Sequence, residues 1–247
     1  MEQNWIKIEG DLISIEDTPQ LLNELNLMPL FLRRFLERKF VKDIIPTREE
    51  QVSNYQAFLK KEKIADKENL DAWLKFHHVT EPELEKNIYN SLRIQKFKEN
   101  SFADKVENIF LKRKSELDRV TYSLIRAKSR EKIVELNMRL KEEEATFPEL
   151  SAEYSEGVEN VLHGLIGPME LGNVNPLIAE RLKASKAGQL WPPFEIEGWW
   201  VLLRHERLIP AALNEAMRQR LISELYEEWI TVKIKNALNS LIESTKN

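Results

Sequence analysis

The sequence contains no cysteine. That excludes disulfides, thiolate metal sites and a cysteine nucleophile. Glycine is scarce: there are seven in 247 residues, and only Gly10 precedes residue 150. Glycine permits tight turns and positive φ, so loops are expected over residues 157–198 and helices over most of the rest. No apolar run approaches the ~18 residues of a membrane-spanning helix, so membrane insertion is not expected. Met1-Glu2-Gln3-Asn4-Trp5 shows no basic segment ahead of an apolar one, the pattern of a secretory signal. The expectation is a cytoplasmic protein. A basic excess is also lacking, with 37 Lys and Arg against 41 Asp and Glu and a net charge of -4. Proteins that neutralise phosphates carry the opposite bias, so no nucleic-acid partner is expected. Phosphate-loop and dinucleotide fingerprints are missing too, and no cofactor is expected.

What is present is 42% hydrophobic and 32% charged residues, enough to bury a core and stay in solution. Residues 5–15 read as strand, turn, strand, with Gly10-Asp11 in the turn. Residues 18–45 carry a dense helical apolar pattern: Leu21, Leu22, Leu25, Leu30, Phe31, Phe35, Leu36 and Phe40. Thr47 with Glu50, and Thr80 with Glu83, fit capping boxes. Asp66 is a third N-cap candidate. These signals predict helices near 47–61, 66–77 and 80–98, then a long one over 101–117. Phe31, Phe35, Phe40, Tyr55, Phe58, Trp73 and Phe76 are expected mostly in the core, with some lining a groove for extended chains.

Residues 119–127 are β-branched and aromatic, without a breaker, and predict a strand. A helix over 129–144 follows, ending in the solvated run Glu142-Glu143-Glu144. Thr146, Pro148 and Glu149 open a short helix ending near Ser155. A helix near 175–185 lies inside the glycine-rich stretch. Strand composition returns over 194–207, with a hairpin turn at Glu197-Gly198. The last segment, 210–242, places Leu213, Met217, Leu221, Leu225, Trp229 and Val232 on one helical stripe. Such a stripe must dock, and the N-terminal helices are the expected partner. The division is a helical domain over 1–118, a β-α domain over 119–208, and a returning helix over 209–247. The fold class is α+β.

Five segments in order carry a family resemblance. They are Phe147-Pro148-Glu149-Leu150-Ser151-Ala152-Glu153-Tyr154-Ser155; His163-Gly164-Leu165-Ile166-Gly167; Asn175-Pro176-Leu177-Ile178; Ala187-Gly188-Gln189-Leu190-Trp191-Pro192-Pro193-Phe194; and Gly198-Trp199-Trp200-Val201-Leu202. Together they resemble a parvulin domain, the FKBP-like β-α fold of one class of peptidyl-prolyl cis-trans isomerases, or rotamases. The layout, a helical N-terminal lobe completed by a long C-terminal helix, resembles the SurA/PrsA-like bacterial chaperone-foldases. The resemblance implies isomerase and chaperone activity in protein folding. It also implies unfolded or proline-containing polypeptide clients, and no cofactor.

Isomerisation requires no nucleophile. The barrier of about 18–20 kcal/mol is amide resonance, and thousandfold acceleration needs about 4 kcal/mol of selective transition-state binding. An apolar proline pocket and a few polar groups suffice. By the resemblance, the family's two histidines fall on Ser123 and Trp200, its Asp/Cys position on Leu165, and its apolar pocket positions on Val174 and Ile178. All three polar positions are substituted. Ser123 could bond a substrate carbonyl or Tyr122, or be an ordinary strand hydroxyl. Trp200 could stack on a proline ring or fill the vacated space. Tyr122, His163 and Trp199 complete the substrate-binding candidates. His205, between Arg204 and Glu206, is expected on a charged surface. His77 and His78 point about 100° apart on a helix and suit no metal. The competing readings are an active isomerase with a rearranged pocket, a peptide-binding chaperone without catalysis, and an adaptor delivering a peptide to an export or processing machine.

Overall fold

The computed structural model describes residues 5–8, 11–14 and 16–244. At its start β1 (Trp5–Ile8) pairs antiparallel with β2 (Asp11–Ser14). The turn residue Gly10 lies outside the described residues. Next come α1 (Thr18–Glu24) and α2 (Met28–Phe40), each with proline in its first turn, where the missing N–H removes no helical bond. α3 (Arg48–Lys61), α4 (Lys67–His77) and α5 (Glu81–Phe102) start where side-chain oxygens meet free backbone N–H groups. Thr47 Oγ1 accepts from the Glu50 N–H at 3.2 Å, and Glu50 accepts from the Thr47 N–H at 2.7 Å. Asp66 caps α4 by accepting from the Asn69 N–H at 2.9 Å.

The long helix expected from residue 101 is in two pieces. α5 continues to Phe102, a 3₁₀ turn covers Ala103–Lys105, and α6 spans Val106–Leu117. Phe102 leaves helical geometry, at φ -130°, with its ring buried against Phe97 and Tyr226.

Beyond these lie β3 (Arg119–Ala127), α7 (Arg130–Lys141), α8 (Phe147–Tyr154), β4 (Leu165–Glu170), α9 (Pro176–Ala184), β5 (Leu190–Ile196), β6 (Trp199–Ile209) and α10 (Glu215–Ser244). β4 corrects the expectation of a loop there. It satisfies an edge of β3 that would otherwise leave backbone groups unpaired. The antiparallel sheet runs β4-β3-β6-β5. The β5–β6 hairpin turns on Glu197 and Gly198, both at positive φ, 50° and 76°, as a two-residue primed turn requires.

The chain divides into two compact units. One holds the residues up to Val106 and from Arg218 onward; the other is Glu107–Met217. In the first, Leu70, Leu74, Leu84 and Ile88 form a small core with Phe58 and Trp73 packed on it. α10 joins α2 and α5 through aromatics: the Trp229 ring lies 4.7 Å from Phe40 and 5.3 Å from Phe97, centroid to centroid. The buried line of α10 is Leu221, Ile222, Tyr226 and Ile230. The expected stripe is thus rotated. Leu213 precedes the helix and Val232 is exposed, because the helix turns Tyr226 toward Phe97 and Phe102. Phe31, Phe35 and Phe76, expected mostly in the core, are also exposed. Met28, Leu32 and Val41 take the buried side of α2 and its C-cap instead.

In the second unit the sheet is covered on both faces. Val120, Tyr122, Leu124, Val201 and Leu203 pack with Leu171, Val174 and the α9 residues Ile178, Ala179 and Leu182. Ile125, Ala127 and Leu202 pack with Ile133 and Leu136 of α7 and Phe147 and Leu150 of α8.

Candidate functional site

Side chains of a strand alternate between faces, and that alternation sorts the candidate residues. Ser123 lies opposite Leu165 on β4 and Arg204 on β6, so these three share the α7–α8 face. The Ser123 hydroxyl is buried and donates to Glu206 Oε1 at 2.5 Å. Arg204 Nε donates to the same oxygen at 2.6 Å. Trp200 shares this face but pairs with Ala127, four residues along β3 from Ser123, so the two do not meet. Its ring packs on the Phe147 core, with the Arg130 guanidinium 5.2 Å from its centroid. Leu165 is half-exposed, at 48%.

Tyr122, Val174, Ile178 and Trp199 gather on the opposite, α9 face. Val174 and Ile178 are each 6% exposed and belong to the packed core on that face. Burial, and then the charge of Glu159, push the Tyr122 phenol above its ordinary pKa. Trp199 is partly buried, and Lys128 Nζ sits 3.6 Å from its ring centroid. His163 is exposed at φ 52°, closing the 3₁₀ turn Val158–Leu162. The sheet therefore separates Ser123, Leu165 and Trp200 from Tyr122, Val174, Ile178 and Trp199.

The structure adds polar groups that the motifs did not single out. Glu159, 5% exposed, accepts from the Ser155 hydroxyl at 2.7 Å and pairs with Arg126 Nη2 at 3.0 Å. Ser155 Oγ in turn accepts from the Arg126 N–H at 3.1 Å. Gly157 makes room for this network: a Cβ there would fall 1.9 Å from Arg126 Nε. The available signal was a single charge, Arg126, inside a β-branched run. His205 corrects the expectation of a charged surface. It is 2% exposed, with Nδ1 at 3.1 Å from the Ser185 carbonyl. His205 pairs with Tyr122 in the same register as Leu124 with Leu203, so strand alternation turns its ring to the buried α9 face. Its Nε2 has no hydrogen-bond partner.

The described cavities lie in the helical unit. A cleft of about 750 Å³ between α3 and α5 is lined by Val52, Tyr55, Leu59, Ile88, Tyr89 and Leu92, with Gln51, Asn54 and Gln56 supplying amide groups. A second, of about 550 Å³, involves Phe58, Trp73 and His77. A third, of about 430 Å³, lies at Phe35. Among the described residues no cluster of His, Asp and Glu is arranged to hold a metal.

A four-stranded antiparallel sheet flanked by short helices, lying in the chain between helical segments that form one unit, defines a helical unit and a β-α domain. Residues 109–207 match the rotamase family, the PPIC-type PPIase domain. The chain is similar to the peptidylprolyl isomerase PrsA of Bacillus cereus, at 16% identity and TM-score 0.50, over 94% of this chain and 90% of that one. It is also similar to PrsA of Bacillus anthracis, at 14% identity and TM-score 0.44, over 88% and 97%. A SurA-like chaperone of Campylobacter jejuni aligns at 17% identity and TM-score 0.38, over 97% and 96%. No curated protein matches the sequence. Residues 109–207 are thus a rotamase-family, PPIC-type PPIase domain, and the fold of the chain as a whole is similar to that of PrsA.

Proposed function

We propose that this chain acts chiefly by binding unfolded polypeptides in its helical unit, and that its PPIase domain retains little isomerase activity. One contrast carries this reading. The helical unit keeps an open cleft of about 750 Å³ with apolar walls and side-chain amides, while the family's proline-pocket positions Val174 and Ile178 are buried. An extended backbone needs such walls for its side chains and such amides for its N–H and C=O groups. Gln51 and Asn54 each commit one donor to the Pro46 and Ile88 carbonyls and keep an amide oxygen to accept. In the sheet domain the Ser123 hydroxyl donates to Glu206, which leaves it no free donor for the carbonyl of a twisting amide. A narrower reading, an adaptor handing one peptide to an export or processing machine, draws support from the cationic hollow at Phe35.

Two measurements test the proposal. NMR exchange spectroscopy on a panel of Xaa-Pro peptides is expected to show at most weak acceleration of cis/trans exchange by the wild type. Strong acceleration that Ser123→Ala or Trp200→Ala abolishes would overturn it. Suppression of aggregation of a denatured client is expected to drop several-fold for Val52→Asp. Val52 is at the exposed lip of the cleft, so the fold survives the change. Unchanged suppression would remove the cleft from the account.

A further inference from the structure

We propose that the hollow at the C-terminal half of α2 is a docking site for an acidic peptide segment bearing apolar anchors. The inference deepens the reading of the helical unit as a polypeptide binder and rests on it. The hollow of about 430 Å³ is lined by Phe35, Arg38, Lys39, Lys42 and Arg93: one ring, four cations and no carboxylate. The chain as a whole carries -4, so this patch reverses the average. Arg38 and Lys39 have no ion-pair partner among the described residues. Lys42 has only Asp43, at 4.0 Å, with both side chains mostly exposed. Arg93 donates to the backbone carbonyls of Ile44 and Val41 and to the Asn90 side chain, and to no acid.

Cations in the last turn of a helix interact favourably with its free carbonyls, and that accounts for part of Arg38 and Lys39. It does not account for the aromatics beside them. Phe31 and Phe35 are 50% and 55% exposed, with rings stacked at 6.3 Å. Phe31, Phe35 and Arg38 follow at helical steps of four and three, which places them on one side of α2, with Leu27 at its N-cap and Lys42 just past its C-cap Val41. That side is apolar in its first turns and cationic in its last. The buried positions Met28, Leu32 and Glu37 already anchor α2, so folding does not need the exposed side.

Charge complementarity selects the occupant. Carboxylates would lie over Arg38, Lys39 and Lys42, and aliphatic or aromatic side chains would cover Phe31 and Phe35. Each exposed ion pair adds modestly, but several together with two apolar contacts give a selective site. Nucleic acid would satisfy the cations and leave the apolar half uncovered, and the chain's net charge repels a long polyanion.

Fluorescence anisotropy with the full chain tests this. The probes are a labelled synthetic peptide combining Leu and Phe with Glu, and the same peptide with every Glu replaced by Gln. The acidic peptide is expected to bind about tenfold more tightly at low salt, with the preference fading at about 0.5 M salt. Arg38→Glu with Lys42→Glu, both exposed positions, should erase the preference without changing the thermal midpoint. Phe35→Ser should weaken both peptides alike. Equal binding of the two peptides to the wild type overturns the proposal, as does a preference that survives charge reversal. So does a DNA oligonucleotide that competes as well as the acidic peptide. A dimer in sedimentation that charge reversal dissociates would give the site to a second copy and overturn it as well. A preference without any suppression of client aggregation leaves this site standing and removes the general-client reading.

Discussion

The helical unit and the sheet domain use their apolar residues differently. The sheet domain fills both faces of its sheet with continuous clusters, and Ile125, Ile133, Phe147, Leu182, Leu202 and Leu203 are all fully buried. The helical unit exposes the rings Phe31, Phe35 and Phe76, whereas the exposed apolar residues of the sheet domain, such as Val158, Val161, Leu162 and Leu165, are aliphatic, and the helical unit keeps open clefts among α3, α4 and α5. A packed core has one arrangement and little room for a guest. A set of helices joined by rings and ion pairs can accept one. On the proposed reading, the sheet domain would serve as a scaffold and the helical unit would receive the client.

The largest effect should come from breaking the closed side of that comparison. Phe147 is 0% exposed, between α8 and the sheet. Phe147→Ala is expected to cost about 3–5 kcal/mol, read as loss of amide protection over β3 and β6 in hydrogen exchange. Protection across α3–α5 should persist. Equal loss in both units would show that they do not unfold separately. On the open side the loss should be smaller. Trp229 is only partly buried, in contact with Phe40, Phe97 and Phe102. Trp229→Ala is expected to cost about 2–3 kcal/mol, with α10 losing protection first.

The same contrast governs what could be read from the residues. Helix starts were legible because their chemistry is local: Thr47 and Asp66 meet N–H groups three residues away. β3 was legible because nine residues without a breaker need no distant information. β4 was hidden, since its pairing is dictated by the edge of β3 and its own sequence carries two glycine signals, Gly164 and Gly167. The site was the least legible part. Tyr122 and Ser123 are adjacent, so a one-residue choice of register decides which face each joins. The alternation that buries His205 and the register shift that frees Glu206 to meet Ser123 depend on pairing that no single strand contains. The exposed Phe31 and Phe35 fit a core pattern by spacing, and only the helix's rotation against its neighbours shows otherwise.

Acid offers a sharper probe of the helical unit, because an ion pair adds to the rings that join α2 and α10. Glu227 on α10 accepts two bonds from Arg33 on α2, at 2.8 and 2.7 Å. Those hydrogen bonds, and the nearby charge, hold the Glu227 carboxyl below its ordinary value. A depressed carboxylate contributes stability above its unfolded pKa, about 4.3, and that contribution fades as pH falls through the folded value. Glu227 is half-exposed, so the gain is less than about 1 kcal/mol. Glu227→Gln should lower the urea midpoint at pH 7, and the difference from wild type should shrink as pH falls below the ordinary carboxylate range. A difference that stays constant with pH would assign the loss to packing.

The smallest effect distinguishes a structural aromatic from a receptive one. Phe35 is 55% exposed and makes its ring contact with Phe31. Phe35→Ala removes no buried core volume, so its cost should stay within about 0.5 kcal/mol, as for other surface changes. If Phe35 instead behaves like Trp229, with a cost of about 2 kcal/mol or more, the exposed side of α2 is held by contacts in the free protein. The division between a closed domain and a receptive one would then not extend to α2. A near-zero cost in thermal unfolding, together with weaker capture of a denatured client, would mean that this ring is kept for something outside the chain.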